Sequence, residues 1–193
     1  KEFTVILYGR SYACTYLAEH NIIYLNDITD KLTVSNRYKK RMLALGIVNL
    51  DNFEEALSSF DARERSIHVG KLVAILNDWA SMLGIGIKGY SNERYLLILD
   101  YTTLEEIMSN NFDILDEIKD YCTKANLRIS SSIGIACIDI DAQSLMAEAY
   151  TQLDLALARG GNQAVVVIND RIEYFGAKTE SFESRTSISI RFK

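Results

Sequence analysis

Along the chain, runs in which apolar and polar residues alternate give way to runs in which apolar residues recur every three or four positions, and these switches mark out the elements. Residues 3–28 predict three short strands, FTVILYG, YACTYLA and NIIYLND, rich in β-branched and aromatic residues. They are broken at Gly9-Arg10-Ser11 and Glu19-His20-Asn21. A polar helix is expected over 31–41, then a buried strand over 41–49, RMLALGIVN. Leu50-Asp51-Asn52-Phe53 opens a helix, with Asp51 or Asn52 as N-cap. Val69, Leu72, Val73, Leu76, Trp79 and Leu83 form the apolar stripe of a long helix over 63–83, which Gly84 stops.

Residues 84–100, GIGIKGYSNERYLLILD, read as a hairpin. Ile85, Ile87 and Gly89 alternate with Gly86, Lys88 and Tyr90, Ser91-Asn92 turns the chain, and residues 95–99 return as an apolar run. A hairpin buries its arms and exposes its tip, so a site would sit at the tip. Helices are expected over 102–109 and 112–125, the second with Leu115, Ile118, Cys122 and Ala125 on one face, and a strand over 128–140. A last helix over 142–159, striped by Leu145, Ala149, Leu153 and Ala156, ends at Gly160-Gly161. A strand over 164–168 turns at Asn169-Asp170 and returns over 171–175. Beyond Gly176 the chain turns polar and then alternates through Thr186, Ile188, Ile190 and Phe192, as a linker and the first strand of a further domain would. The order β-α-α-β-β-α-β-α-β over 43–175 predicts an α/β (α+β) fold of ferredoxin-like or palm type, a mostly antiparallel sheet flanked by helices.

Composition narrows the class. Hydrophobic residues make up 48% of the 193, enough for a sizeable core. The net charge of −5 argues against a nucleic-acid or membrane-surface binder. Cys14, Cys122 and Cys137 are scattered and odd in number, which fits reduced thiols and neither a disulfide framework nor a zinc site. His20 and His68 stand far apart. No signal peptide or membrane-spanning run is present, and an opening Lys1 suggests a piece of a longer chain.

Several motifs now fall in order. IVNLDNFEEAL, GYSNERYLLIL, SSSIGIACI and LDLALARGGNQAVVV resemble the first strand and helix, signature hairpin, Ser-Ile-Gly strand and closing turn of GGDEF domains. NDWASMLGI, FDILDEI and residues 174–179, YFGAKT, with Arg185-Thr186 after them, resemble the degenerate GGDEF domain of GdpP/YybT-type cyclic-di-AMP phosphodiesterases. Asp27-Ile28-Thr29-Asp30 resembles the end of a PAS sensor domain. The resemblance implies residues 1–30 as the last strands of a PAS-like domain, 31–42 as a connecting helix, 43–175 as the degenerate GGDEF domain, and 176–193 as a linker toward a DHH/DHHA1 unit. Tyr8, Tyr12, Tyr16 and Tyr24 are candidates for either a sensor pocket or the core of the first strands.

A working cyclase of this family needs carboxylates converging on two divalent cations, and glycines that let backbone approach a triphosphate. By resemblance, the first-strand metal position is Asn49, the phosphate-facing Lys is Glu54, and a guanine-reading Asn is Leu57, with Lys71 at a second base-reading position. The tip reads Ser91, Asn92, Glu93, Arg94 and Tyr95 in place of the signature, and no Arg-x-x-Asp product site precedes the hairpin. Diguanylate cyclase activity is therefore not expected. The residual nucleotide site implied is Asn49, Asp51, Phe53, Ser91, Asn92, Glu93 and Arg94, with Asp51 and Glu93, and Asp100 nearby, as ligands for one Mg2+ with ATP. The alternatives are that Asp51 caps a helix and that Glu93 is a solvated turn residue. Lys88 and Arg94 flank the tip, either to contact phosphates or to guard a strand edge. Arg159-Gly160-Gly161-Asn162 reads as a helix stop and not as a phosphate loop.

The implied function is regulatory. The chain is expected to be a nucleotide-binding or signal-passing module of a membrane-anchored cyclic-di-AMP phosphodiesterase. Its partners would be ATP or a cyclic dinucleotide, its own PAS and DHH/DHHA1 domains, and a second copy in a homodimer. Mn2+ would belong to the DHH unit and haem to a complete PAS domain. The module itself would be a soluble cytoplasmic part of a bacterial plasma-membrane protein. A weak Mg-dependent ATPase and a purely structural spacer are the alternatives.

Overall fold

The fold is built around one strand that is buried at every residue after its first. In the computed structural model, which describes residues 2–176, this strand is the fourth. Strands β1 (Glu2–Leu7), β2 (Arg10–Leu17) and β3 (Ile22–Asp27) precede it, with helix α1 (Thr29–Lys40). Then come β4 (Leu43–Asp51), α2 (Phe53–Leu57), α3 (Ala62–Leu83), β5 (Gly86–Gly89) and β6 (Arg94–Asp100). The chain continues through α4 (Tyr101–Ser109), α5 (Asp113–Lys124), β7 (Ser130–Cys137), α6 (Ala142–Ala158), β8 (Gln163–Ile168) and β9 (Arg171–Gly176). The strand foreseen in residues 186–192 lies outside the described residues.

Six strands form the main sheet in the order β5-β6-β4-β7-β8-β9. All neighbours are antiparallel except β7 and β8, which are parallel and joined through α6. β4 is central, so both of its faces are covered and it reads as an apolar run, with no alternation, from Leu43 to Val48. Ala44, Val48 and Leu50 pack with α2, α3 and α5 on one face. Leu45 and Ile47 pack with Leu145, Ala149 and Leu153 of α6 on the other. α6 lies close to the sheet because β7 offers Gly134 beneath it. A Cβ at Gly134 would run into the backbone of Ala149 and Leu153.

Two helix starts follow from local chemistry. Asp61 accepts from the backbone N–H of Glu64 at 2.8 Å and Glu64 answers, a capping box opening α3. Asp100 accepts from Thr103 N at 2.9 Å and caps α4. Gly84, at φ +69°, ends α3 in the left-handed conformation that glycine adopts freely.

The first three strands form a separate sheet, β1-β2-β3. Register places Phe3, Val5, Tyr12, Cys14, Tyr16, Ile23 and Leu25 on one face. Tyr24 pairs with Thr15 and therefore faces the other way, and Tyr8 sits in the exposed β1–β2 turn. The four tyrosines do not line one pocket. α1 has no buried residue and is tied to the main sheet at its C-terminal end. There Tyr38 donates to Asp139 at 2.7 Å, Lys39 lies 4.8 Å from the Tyr101 ring centroid, and Thr102 donates to the Lys40 carbonyl.

Candidate functional site

The side chains at the end of β4 form a polar cluster against α6. Leu45 and Ile47 point toward α6, and period-two alternation continues that row through Asn49 and Asp51. On β6, Arg94 pairs with Asn49, and on β7, Ser132 pairs with Asn49 and Ser130 with Asp51. Five polar side chains from three adjacent strands therefore share one corner of one face.

They form a connected network. Arg94 Nε donates to Asn49 Oδ1 at 3.1 Å, and Asn49 Nδ2 donates to Asp51 Oδ1 at 2.8 Å. Asp51 Oδ2 accepts from Ser132 Oγ at 2.7 Å and from Ser130 Oγ at 3.0 Å. Asn49 and Asp51 are 8% and 9% exposed, so this carboxylate is desolvated and needs the three donors it has. Gly161, just past α6, closes the cluster from above. At φ +74°, a Cβ there would lie 2.7 Å from Asp51 Oδ2.

The expected site residues separate into three groups. Asn49, Asp51 and Arg94 meet in the network. Asp51 belongs to β4 and does not cap α2, and Asn52, which stands at the cap position, makes no side-chain cap bond. Ser91, Asn92 and Glu93 form the hairpin tip. Ser91 Oγ accepts from the Arg94 N–H at 3.0 Å, Tyr95 donates to the Asn92 carbonyl, and the Leu50 N–H donates to the Glu93 carbonyl at 2.8 Å. The Glu93 carboxylate lies half-exposed, 3.9 Å from Arg94 Nε. Neither Ser91 nor Asn92 has a positive φ, so this tip does not need glycine. Phe53 is the outlier: it is 1% exposed and belongs to the core beneath the sheet.

The residues do not fit a Mg2+ ion. Asp51 has both oxygens engaged, Asn49 is neutral, and a guanidinium occupies the corner where a second carboxylate would be needed. Asp100 lies at the far end of β6, roughly 20 Å from Arg94 by strand rise, and is used as a helix cap. No group of three or more His, Cys, Asp or Glu side chains suited to a metal occurs among the described residues. The residues expected at base-reading and phosphate-facing positions are engaged elsewhere. Leu57 is fully buried in the core, and Glu54 pairs with Arg65 of α3.

Ser130, Ser132 and Gly161 were not anticipated from sequence. The alternation within SSSIGI does place residues 130 and 132 on one face, but which strand they meet depends on the register with β4.

The family profile for the cyclic-di-AMP phosphodiesterase GdpP-like GGDEF domain matches residues 48–174. The chain belongs to the GdpP-like GGDEF family. It is 31% identical over 191 residues to the cyclic-di-AMP phosphodiesterase GdpP of Geobacillus thermodenitrificans, covering 98% of this chain and 29% of the relative. It is 32% identical over 188 residues to a membrane protein–large ribosomal subunit bL9 fusion protein of Onion yellows phytoplasma, covering 97% of this chain and 22% of that protein. The chain thus spans less than a third of the length of these relatives. Among solved structures, the GGDEF domain of DgcB from Caulobacter crescentus, in complex with c-di-GMP, superposes with a TM-score of 0.55. The identity is 14%, over 71% of this chain and 84% of that one. At that identity the likeness concerns the fold: this GdpP-like GGDEF domain has the palm-type sheet and helices of the GGDEF family.

Proposed function

We propose that this chain is a regulatory, non-cyclising GGDEF module of a multidomain cyclic-di-AMP phosphodiesterase. The observation that carries the reading is the Arg94–Asn49–Asp51–Ser132 network. It places a cation and a satisfied carboxylate at the corner where a cyclase of this fold would assemble metal ions and a triphosphate. A hydrogen-bonded corner of this kind ties the hairpin to β4 and β7, and such a module acts by its shape and its contacts.

In this reading β1–β3 are the closing strands of a PAS-like sensor, and α1 passes its state to the main sheet through Tyr38, Lys39 and Lys40. Residues 176–193 lead toward the phosphodiesterase unit. The parent protein is membrane-anchored and dimeric. No helix among the described residues is long and apolar enough to cross a membrane. The competing reading, a slow Mg-dependent ATPase using Asp51 and Glu93, requires Asp51 to give up three hydrogen bonds before it can bind metal.

The test has two arms. Purified chain is incubated with Mg2+ and either GTP or ATP, and products are separated by chromatography. The regulatory reading expects no dinucleotide and no hydrolysis that depends on Asp51 and Glu93. Turnover abolished in the Asp51→Ala/Glu93→Ala double variant would replace that reading with the ATPase. In the second arm, Asn49→Ala in the full-length protein should change the phosphodiesterase rate even though the substitution lies outside that unit. An unchanged rate would leave the module as a spacer.

A further inference from the structure

Next to the polar network, on the same face of the sheet, there is an apolar slot that the reading above does not use. Its volume is about 240 Å³ and it is lined by Ile47, Leu96, Lys88, Tyr90, Met146 and Tyr150. Ile47 and Leu96 are cross-strand partners, one step along from the Asn49–Arg94 pair, with the half-buried Leu96 at the base of the slot and Ile47 fully buried beside it. Met146 and Tyr150 come from α6, Lys88 from β5 and Tyr90 from the residue after it, with Lys88 directly opposite Leu96. The hydroxyls of Tyr90 and Tyr150 share one hydrogen bond of 3.0 Å that bridges the β5 end of the hairpin to α6.

Three features indicate what the slot would hold. An engineered apolar cavity of about 150 Å³ holds one benzene ring, so the space here suits a ring with a short substituent. The lining is almost entirely apolar, with two aromatic rings that can meet a flat ligand edge or face. At its rim stands Lys88, which is exposed and forms no ion pair among the described residues. An ammonium beside an apolar slot favours a ligand with one anionic group at the end of a flat apolar body.

We infer that the slot between β5, β6 and α6 is a binding site for a small aromatic carboxylate or a similar flat amphipathic anion. The ring lies on Leu96 between Tyr90 and Tyr150, and the anion is held by Lys88. An occupant there rests on the strand pair that carries Asn49 and Arg94, so its binding would bear directly on the hairpin.

The site is tested by amide NMR titration of the 193-residue chain with phenylacetate and indole-3-acetate, with benzyl alcohol as the neutral control. The expected result is saturable shifts centred on residues 47, 88, 90, 96, 146 and 150, at concentrations below about 10 mM. Lys88→Glu, an exposed substitution, should weaken the carboxylates by about tenfold or more and leave benzyl alcohol unaffected. Leu96→Trp should fill the slot and remove the shifts while the remaining spectrum stays folded. Non-saturable shifts, shifts centred elsewhere, or unchanged carboxylate affinity in Lys88→Glu would each overturn the proposal.

Discussion

Asn49 stands between Arg94 and Asp51, accepting from the guanidinium at 3.1 Å and donating to the carboxylate at 2.8 Å. A carboxamide can serve both neighbours at once, since it carries an acceptor and a donor on separate atoms at its tip. An aspartate in its place would offer Asp51 no donor and would set two carboxylates side by side in a desolvated corner. Asn49 is thus the residue that makes this corner self-sufficient.

Removing it should be costly. Asn49→Ala leaves Asp51 one donor short in a buried position, which should lower the unfolding free energy by about 1–3 kcal/mol. Arg94 is 43% exposed in its side chain and can turn to water, so Arg94→Ala should cost less, under about 1 kcal/mol. Urea unfolding of the two variants checks the order. An Arg94 effect larger than that of Asn49 would mean the corner depends on the cation.

Gly161 offers a sharper test of how tightly the corner closes. Gly161→Ala combines a left-handed backbone with a methyl 2.7 Å from Asp51 Oδ2, and a loss of about 1–3 kcal/mol is expected. Gly160, at φ +103° with open space around its Cα, carries only the backbone penalty and should be milder. Thermal unfolding of the two alanine variants, measured side by side, separates contact from backbone strain.

Leu57, where the resemblance implies a base-reading Asn, gives another test. It is fully buried, so Leu57→Asn places a carboxamide in an apolar core and should cost about 3 kcal/mol or more. GTP should not restore the lost stability. A rise in unfolding temperature specific to GTP would show that a base pocket persists beneath the leucine.

The buried thiols give a pH prediction. Burial pushes Cys122 and Cys137 up to about 11 from an ordinary 9.0, so the folded protein holds these protons over a range in which the unfolded chain releases them. Their contribution to stability is present in full below pH 9 and is lost as pH rises through about 11. At pH 8 neither should react with iodoacetamide until the chain unfolds. Mass spectrometry after brief labelling checks this. Prompt alkylation of Cys122 or Cys137 in the native protein would contradict it.

Much of the fold could be read from the pattern. The α3 stripe, the glycine stops after α3 and α6, the 84–100 hairpin and the three leading strands are all local signals, and each falls within a few residues of its expected place. β4 was harder, because a central strand buried on both faces shows no alternation to mark where it ends. Asp51 therefore looked like a helix cap when it is the last residue of the strand. The sequence also could not show that Ser130 and Ser132 would meet Asp51. Theirs is a pairing across 79 and 81 positions, set only when β7 finds its register beside β4.

Gly134 sets the height of α6 above the sheet, and α6 is a single helix with the polar corner just past its C-terminal end and the apolar slot along its side. Tyr150 on that helix and Gly161, three residues beyond its last residue, are therefore carried by the same rod. Any change that raised the rod at Gly134 would widen both places together. The bonded corner and the slot thus share one mechanical adjustment, and neither can be loosened while the other keeps its fit.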